Sequence, residues 1–271
     1  MSTTKRIQIL YSSYFKPKRI MNLQNKFSLW IFLGFGTITI CNGQNSSFEL
    51  WPETDIWYRL NPSWRLSSFI PLTKYNENDS RDLNVYLHVD YAWGHPEIPI
   101  FRRMVDQEKE QKMKVWMVRG GLMKGWSIGK YAGDYTEEMV FAEVHKRIPL
   151  KGNILLSHRF RTDTRWLGEE NDFSYRFRYR LMVEKEFKSG NSSIVPFLSI
   201  EPYWDSRYSK VVKTRAIGGV TTSWGHRYAL EGNLTYQYDE TYTTENLYAL
   251  NVILHVFFKK NQTKFKASNP Q

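Results

Sequence analysis

Several kinds of residue and motif are scarce in this chain, and each scarcity removes a class of protein. Cysteine occurs once, at Cys41, so an internal disulfide is excluded. No apolar run reaches the roughly 20 residues that a helix needs to cross a bilayer. The longest, Phe27 to Ile40, has 14. The six histidines are dispersed, with no dense ligand motif, and no glycine-rich loop joins a strand to a helix. Metal and nucleotide-phosphate sites therefore have no support. No serine stands in an obvious nucleophile context either. His88 with Asp90, and His145 with Glu143, are isolated His–acid pairs of the kind that on a strand face are usually structural. The expectation is of no catalytic residue, no metal and no cofactor.

A basic block is also missing. The formal net charge is +11, but Lys5, Arg6, Lys16, Lys18, Arg19 and Lys26 supply +6 of it before residue 44, and the +5 that remains is spread along the chain. Nucleic acid is not an expected partner, since there is neither a basic run nor a known fold signature. Mean hydropathy is -0.53, the value of a soluble protein. Transmembrane β-barrels share that value, because half of each strand faces a polar lumen.

What is present begins with a leader. From Met21, Lys26 supplies a positive n-region, Phe27 to Ile40 an apolar h-region, and Cys41 and Gly43 stand at positions −3 and −1 of a cut before Gln44. A secretory signal from Met21 is expected, with residues 1–20 an over-extended start. A lipid-anchored Cys41 is the weaker reading, because Ile40 sits where a lipobox wants a small residue. The expected domains are 1–43 as start and signal peptide, 44–258 as a barrel, and 259–271 as a polar tail.

Phe173 to Phe187 organises the rest. Phe173, Tyr175, Phe177, Tyr179, Leu181 and Val183 alternate with Ser174, Arg176, Arg178, Arg180 and Glu184. That is the period of a β-strand with one face in an apolar medium and one in a polar medium. A bulky apolar face opposite three arginines suits an inside-out barrel better than a soluble sheet. Ten similar segments follow the same logic: 48–60, 64–74, 83–93, 113–129, 138–150, 153–167, 194–204, 211–224, 228–238 and 247–258. Gly120-Gly121 reads as a bulge or kink. Trp57, Trp64, Trp93, Trp116, Trp166, Trp204 and Trp224 read as interface girdles. With a periplasmic C-terminus, turns at Asn61, Gly152, Gly190 and Gly225 fall on one short side, but eleven strands leave the N-terminus on the wrong one. The even-number rule then asks for a further strand, best placed at Ile98 to Val105. The fold class is all-β: a single antiparallel up-and-down transmembrane barrel of about 12 strands, behind a helical signal peptide.

The polar faces of 153–167 and 173–187 bring Arg159, Arg161, Arg165, Arg176, Arg178 and Arg180 side by side, with Asp163, Glu184, Glu201, Asp205 and Glu143 as available acids. In a small barrel such charges interlock, because unpaired buried charge costs several kcal/mol. An internal brace is thus the first expectation. A lumen that attracts small anionic solutes is the second.

The segments HRFRTDTRWLGEENDFSYRFRYRLMVEKEF, VPFLSIEPYWDS and AIGGVTTSWGHRYALEGNLTYQYDE resemble the uncharacterised bacterial outer-membrane barrels catalogued as domain of unknown function 2490. The shared features are paired strands with Arg at alternate positions, an acid-aromatic strand after them, and a glycine-containing strand before the last hairpin. The resemblance implies an outer-membrane barrel and no assigned activity. Phe258 is followed by KKNQTKFKASNPQ, whereas such barrels usually stop at an aromatic residue. Expected partners are outer-membrane lipid and the barrel-assembly machinery. The expected role is non-enzymatic, structural or as a narrow anion-favouring channel. The alternative is a barrel hydrolase acting on lipid or peptide.

Overall fold

The computed structural model describes residues 46–74, 80–95, 112–129, 136–168, 172–189, 192–224, 227–241 and 245–259. The leader lies outside these residues, as do Ile98 to Val105 and residues 260–271 of the expected tail, whose first residue, Lys259, instead ends the last strand. Within them the chain forms β1 (Ser46–Arg59), β2 (Trp64–Lys74), β3 (Ser80–Trp93), β4 (Trp116–Gly129), β5 (Thr136–Leu150) and β6 (Ile154–Leu167). It continues with β7 (Asp172–Lys185), β8 (Phe187–Ser189), β9 (Ser192–Asp205), β10 (Lys210–Trp224), β11 (Tyr228–Asp239) and β12 (Glu245–Lys259). The expected count of about twelve is met by twelve segments. β7 and β8 both pair with β9 and are separated only by Glu186, so they make one broken stave and the ring has eleven.

Each strand pairs antiparallel with its sequence neighbour, except at the closure, where β1 and β12 run parallel from Ser46↔Asn246 to Arg59↔Lys259. This parallel seam accommodates an odd number of staves. It also removes the difficulty over the N-terminus. Ser46 enters at one rim, and Lys259 leaves at the other. The connections 60–63 and 151–153 share the rim of Lys259, as the sequence suggested for Asn61 and Gly152, whereas Gly190 and Gly225 lie outside the described residues. The longest connection, 94–115, is on that rim too, so the rim is not uniformly short.

Local chemistry makes these turns. Asn61 Oδ1 accepts hydrogen bonds from the backbone N–H of Ser63 and Trp64, both at 2.9 Å. Such an Asx arrangement needs no tertiary partner. Gly152 and Asn153 both have positive φ, 84° and 59°, which Gly and Asn tolerate best.

Alternation sets which side chains face in. Outward residues are apolar and bare: Leu198 is 70% exposed, Phe173 60%, Leu87 59% and Leu122 58%. Inward residues are polar and covered, among them Asp90, Asp163, Glu143 and Glu201. The aromatic bands lie near both rims. Trp64, Tyr91, Trp93 and Trp116 stack in a row at one, and Trp166 meets Phe173, with Trp204 beside Tyr175, near the other.

Two local expectations are corrected. Trp57 is not in a girdle. It shares the parity of Asp55, faces inward, and packs with Phe69, Ala229 and Phe257. Gly120-Gly121 is neither a bulge nor a break in pairing, since the register with β3 and β5 runs through it unshifted. Gly121 is instead a place of close approach: a Cβ there would lie 2.5 Å from the Leu87 carbonyl oxygen and 2.6 Å from Phe141 Cζ. Among the described residues the register shifts in β10, between Val211 and Lys213.

Candidate functional site

Among the described residues, polar and charged side chains gather in the lumen, and the register explains how. A single hydrogen-bonded row crosses the sheet through Arg65, Asp90, Arg119, Glu143, Arg161, Arg178 and Tyr203, on β2 to β7 and then β9. Charges alternate along most of it, so each acid stands between cations. Asp90 accepts from Arg65 Nη2 at 2.8 Å and from Arg119 Nε at 2.6 Å. Glu143 accepts from Arg161 Nη1 at 2.9 Å and lies 3.6 Å from Arg119 and 3.8 Å from Arg159.

The network continues one row towards the other rim and one row back. Asp163 bonds Arg161, accepts from Arg176 Nε at 2.8 Å, and lies 3.9 Å from Arg178. Glu201 accepts from Arg159 at 2.6 Å and Arg178 at 2.8 Å, with Arg180 at 3.7 Å. Glu143, Arg161, Asp163, Arg178, Glu201 and Arg159 thereby close a ring of ion pairs. Arg165 joins Glu137 at 2.6 Å to Asp205 at 3.1 Å in an adjoining group.

Aromatic faces take up what the acids leave. A guanidinium offers its edge to carboxylates and its flat face to rings. Arg65 lies 3.8 Å over Trp57, Arg161 4.0 Å over Phe141, and Arg178 4.4 Å over Tyr203.

Of the residues expected in the lumen, Arg159, Arg161, Arg176, Arg178, Arg180 and Glu201 meet in one network, and Arg165 with Asp205 in the adjoining one. Glu184 also faces inward but lies apart, pairing with Lys112 from the connection before β4. Arg65, Arg119 and Glu137 are additions, and Asp90 proves to be an arginine acceptor. Their parity pointed inward, but only the register shows that segments 25 and 29 residues apart meet at Asp90. His145 Nε2 does reach Glu143 at 2.8 Å. Neither ring nitrogen of His88 has a hydrogen-bond partner among the described residues.

Across the ring the lining changes. Asn251 Nδ2 donates to Asn233 Oδ1 at 2.5 Å and to Thr235 Oγ1 at 2.9 Å, and Asn233 Nδ2 donates to Glu231 at 2.8 Å. His255 Nδ1 lies 3.1 Å from Asp55. The described residues contain no group of three or more His, Cys, Asp or Glu placed to hold a metal.

A family model described as "Protein of unknown function (DUF2490)" matches residues 100–248, a span that includes β4 to β11. No curated protein matches the chain. A solved structure titled "Bacterial polysaccharide outer membrane secretin" is similar at 11% identity and a TM-score of 0.44. The alignment covers 72% of this chain and 64% of that one, so the chain spans less than two thirds of that structure's length.

Proposed function

The chain belongs to the DUF2490 family of unknown function, and on that premise we propose that it is a non-enzymatic barrel of the bacterial outer membrane whose braced lumen favours small anions. One observation carries the anion preference. Nine guanidinium groups, of Arg65, Arg119, Arg159, Arg161, Arg165, Arg176, Arg178, Arg180 and Arg207, share six carboxylates, of Asp90, Glu137, Glu143, Asp163, Glu201 and Asp205. Within this network the surplus is positive.

The membrane setting is supported by the outward apolar residues and the aromatic bands near both rims. A closed ring also pairs every stave with two neighbours, which is what lipid demands of a backbone. Bilayer lipid and, during insertion, the assembly machinery are the partners this reading implies. Absence of catalysis is supported by the engagement of the acids: Asp90 is held by Arg65 and Arg119 and does not orient His88.

The test is conductance of the folded protein in a planar bilayer under a salt gradient, alongside cell fractionation. A reversal potential that reports anions crossing faster than cations is expected, with the protein in the outer-membrane fraction. Cation selectivity would overturn the lumen reading, and recovery from the soluble periplasm would overturn the membrane reading.

A further inference from the structure

The ion pairs leave one part of the arginine wall unfinished. Arg159 on β6 and Arg180 on β7 are cross-strand partners in register, two like charges opposite one another. Such pairs destabilise a sheet unless an anion lies between them. Glu201 is the acid at hand, but it is already bonded by Arg159 and Arg178 and lies 3.7 Å from Arg180. Three guanidinium groups thus crowd one carboxylate. Arg180 Nε stands beyond hydrogen-bond distance of that carboxylate, at 3.7 Å, and Nε of the 9% exposed Arg159 is buried without a partner among the described residues.

The next row along the same strands adds two more open donors. Ser157 on β6 faces Met182 on β7, which faces Ser199 on β9. Both serine hydroxyls are buried and lack partners. Buried polar groups in folded proteins are nearly always hydrogen-bonded, so neighbouring exceptions call for a missing acceptor. Charged forks beside neutral hydroxyls suit a ligand with several acceptor oxygens and negative charge. Arg180 keeps a quarter of its side chain exposed, so solute in the lumen can reach it.

We propose that Arg159, Arg180, Ser157 and Ser199 form a binding site for a tetrahedral oxyanion of the phosphate or sulfate class. The site rests on the reading of the lumen as open to anionic solutes, and it assigns that preference to a place. Arg178 is not part of it, because its Nε donates to Glu201 at 2.8 Å and its Nη2 to the Tyr203 hydroxyl at 2.9 Å, while its Nη1 lies towards Asp163 at 3.9 Å.

The experiment is calorimetric titration of inorganic phosphate into the full chain folded in detergent, with the variants Arg180→Gln and Ser157→Ala/Ser199→Ala. Wild type should bind saturably, in competition with sulfate and not with chloride at equal ionic strength. Arg180→Gln should weaken binding roughly tenfold or more, the worth of one charge-assisted bond, and the serine pair should weaken it less. An unchanged urea midpoint for Arg180→Gln confirms that its fold is kept. Absence of saturable binding to folded wild type, or equal affinity in every variant, overturns the site. Anion selectivity in the bilayer without phosphate binding removes the site and leaves the proposed function. Phosphate binding lost in Arg180→Gln without anion selectivity removes the proposed function and leaves the site.

Discussion

Strands β2 to β9 line the lumen with arginines and acids, whereas β10 to β12 line much of it with hydroxyls, amides and small residues such as Gly219, Thr221, Ala229, Thr235, Ala249 and Asn251. Both walls must bury polar groups. The ionic wall does so with long side chains that share partners, so that Glu143 alone touches Arg119, Arg159, Arg161 and His145. The opposite wall includes a ladder of short side chains where, among the described residues, Asn251 reaches Asn233 and Thr235. One wall is bulky and interdependent, and the other is compact and local. At Gly219 a Cβ would lie 2.4 Å from Asn233 Cβ and 2.7 Å from Phe197 Cζ.

This contrast can be broken by substitution. Asp90→Ala should be the most damaging, because it leaves Arg65 and Arg119 buried without their shared acceptor. A loss of about 3–5 kcal/mol is expected, measured as a shift of the urea midpoint in detergent. A loss no larger than that in the amide ladder would erase the difference between the walls. Gly219→Val should cost about 1–3 kcal/mol by overpacking the compact wall. A stabilised variant would show that this wall has room to spare.

Asn251→Ala sharpens the comparison from the other side. Two hydrogen bonds vanish, neither involving a full charge, and about 1–2 kcal/mol is expected from the same unfolding curve. Smallest of all is Lys124→Ala, on the outer face, where the partner Glu138 lies at 2.8 Å and the two side chains are 67% and 60% exposed. Its effect should stay within about 0.2–1 kcal/mol. A larger one would mean that the outer pair is not an ordinary solvated one.

Much of this was legible in alternation alone. Parity placed Arg159, Arg161, Arg176, Arg178 and Arg180 on one face because a strand has only two. It could equally have placed Trp57, which stands two residues from Asp55, had its nearness to a strand end not suggested an interface role. Register was not legible. That Arg65 and Arg119 converge on Asp90 depends on how far each hairpin is staggered, and nothing local in the sequence encodes it. The glycine pair at 120–121 misled for a related reason. A glycine in a strand marks either a bulge or a close approach, and only the position of Phe141 decides which. The direction of the closure was hidden as well, since the patterns of β1 and β12 are the same whether the two run parallel or antiparallel.

That closure also sets a timetable. Every other pairing in the ring joins strands that follow one another along the chain, so each can zip as a hairpin while later strands are still unplaced. Ser46 and Asn246 are 200 positions apart, and their seam has to bring together ends with the largest loop entropy in the molecule. Its bonds are of the slanted, evenly spaced kind that is slightly weaker per residue. The β1–β12 seam is therefore expected to form last and loosen first, and amide exchange in detergent should run fastest along it.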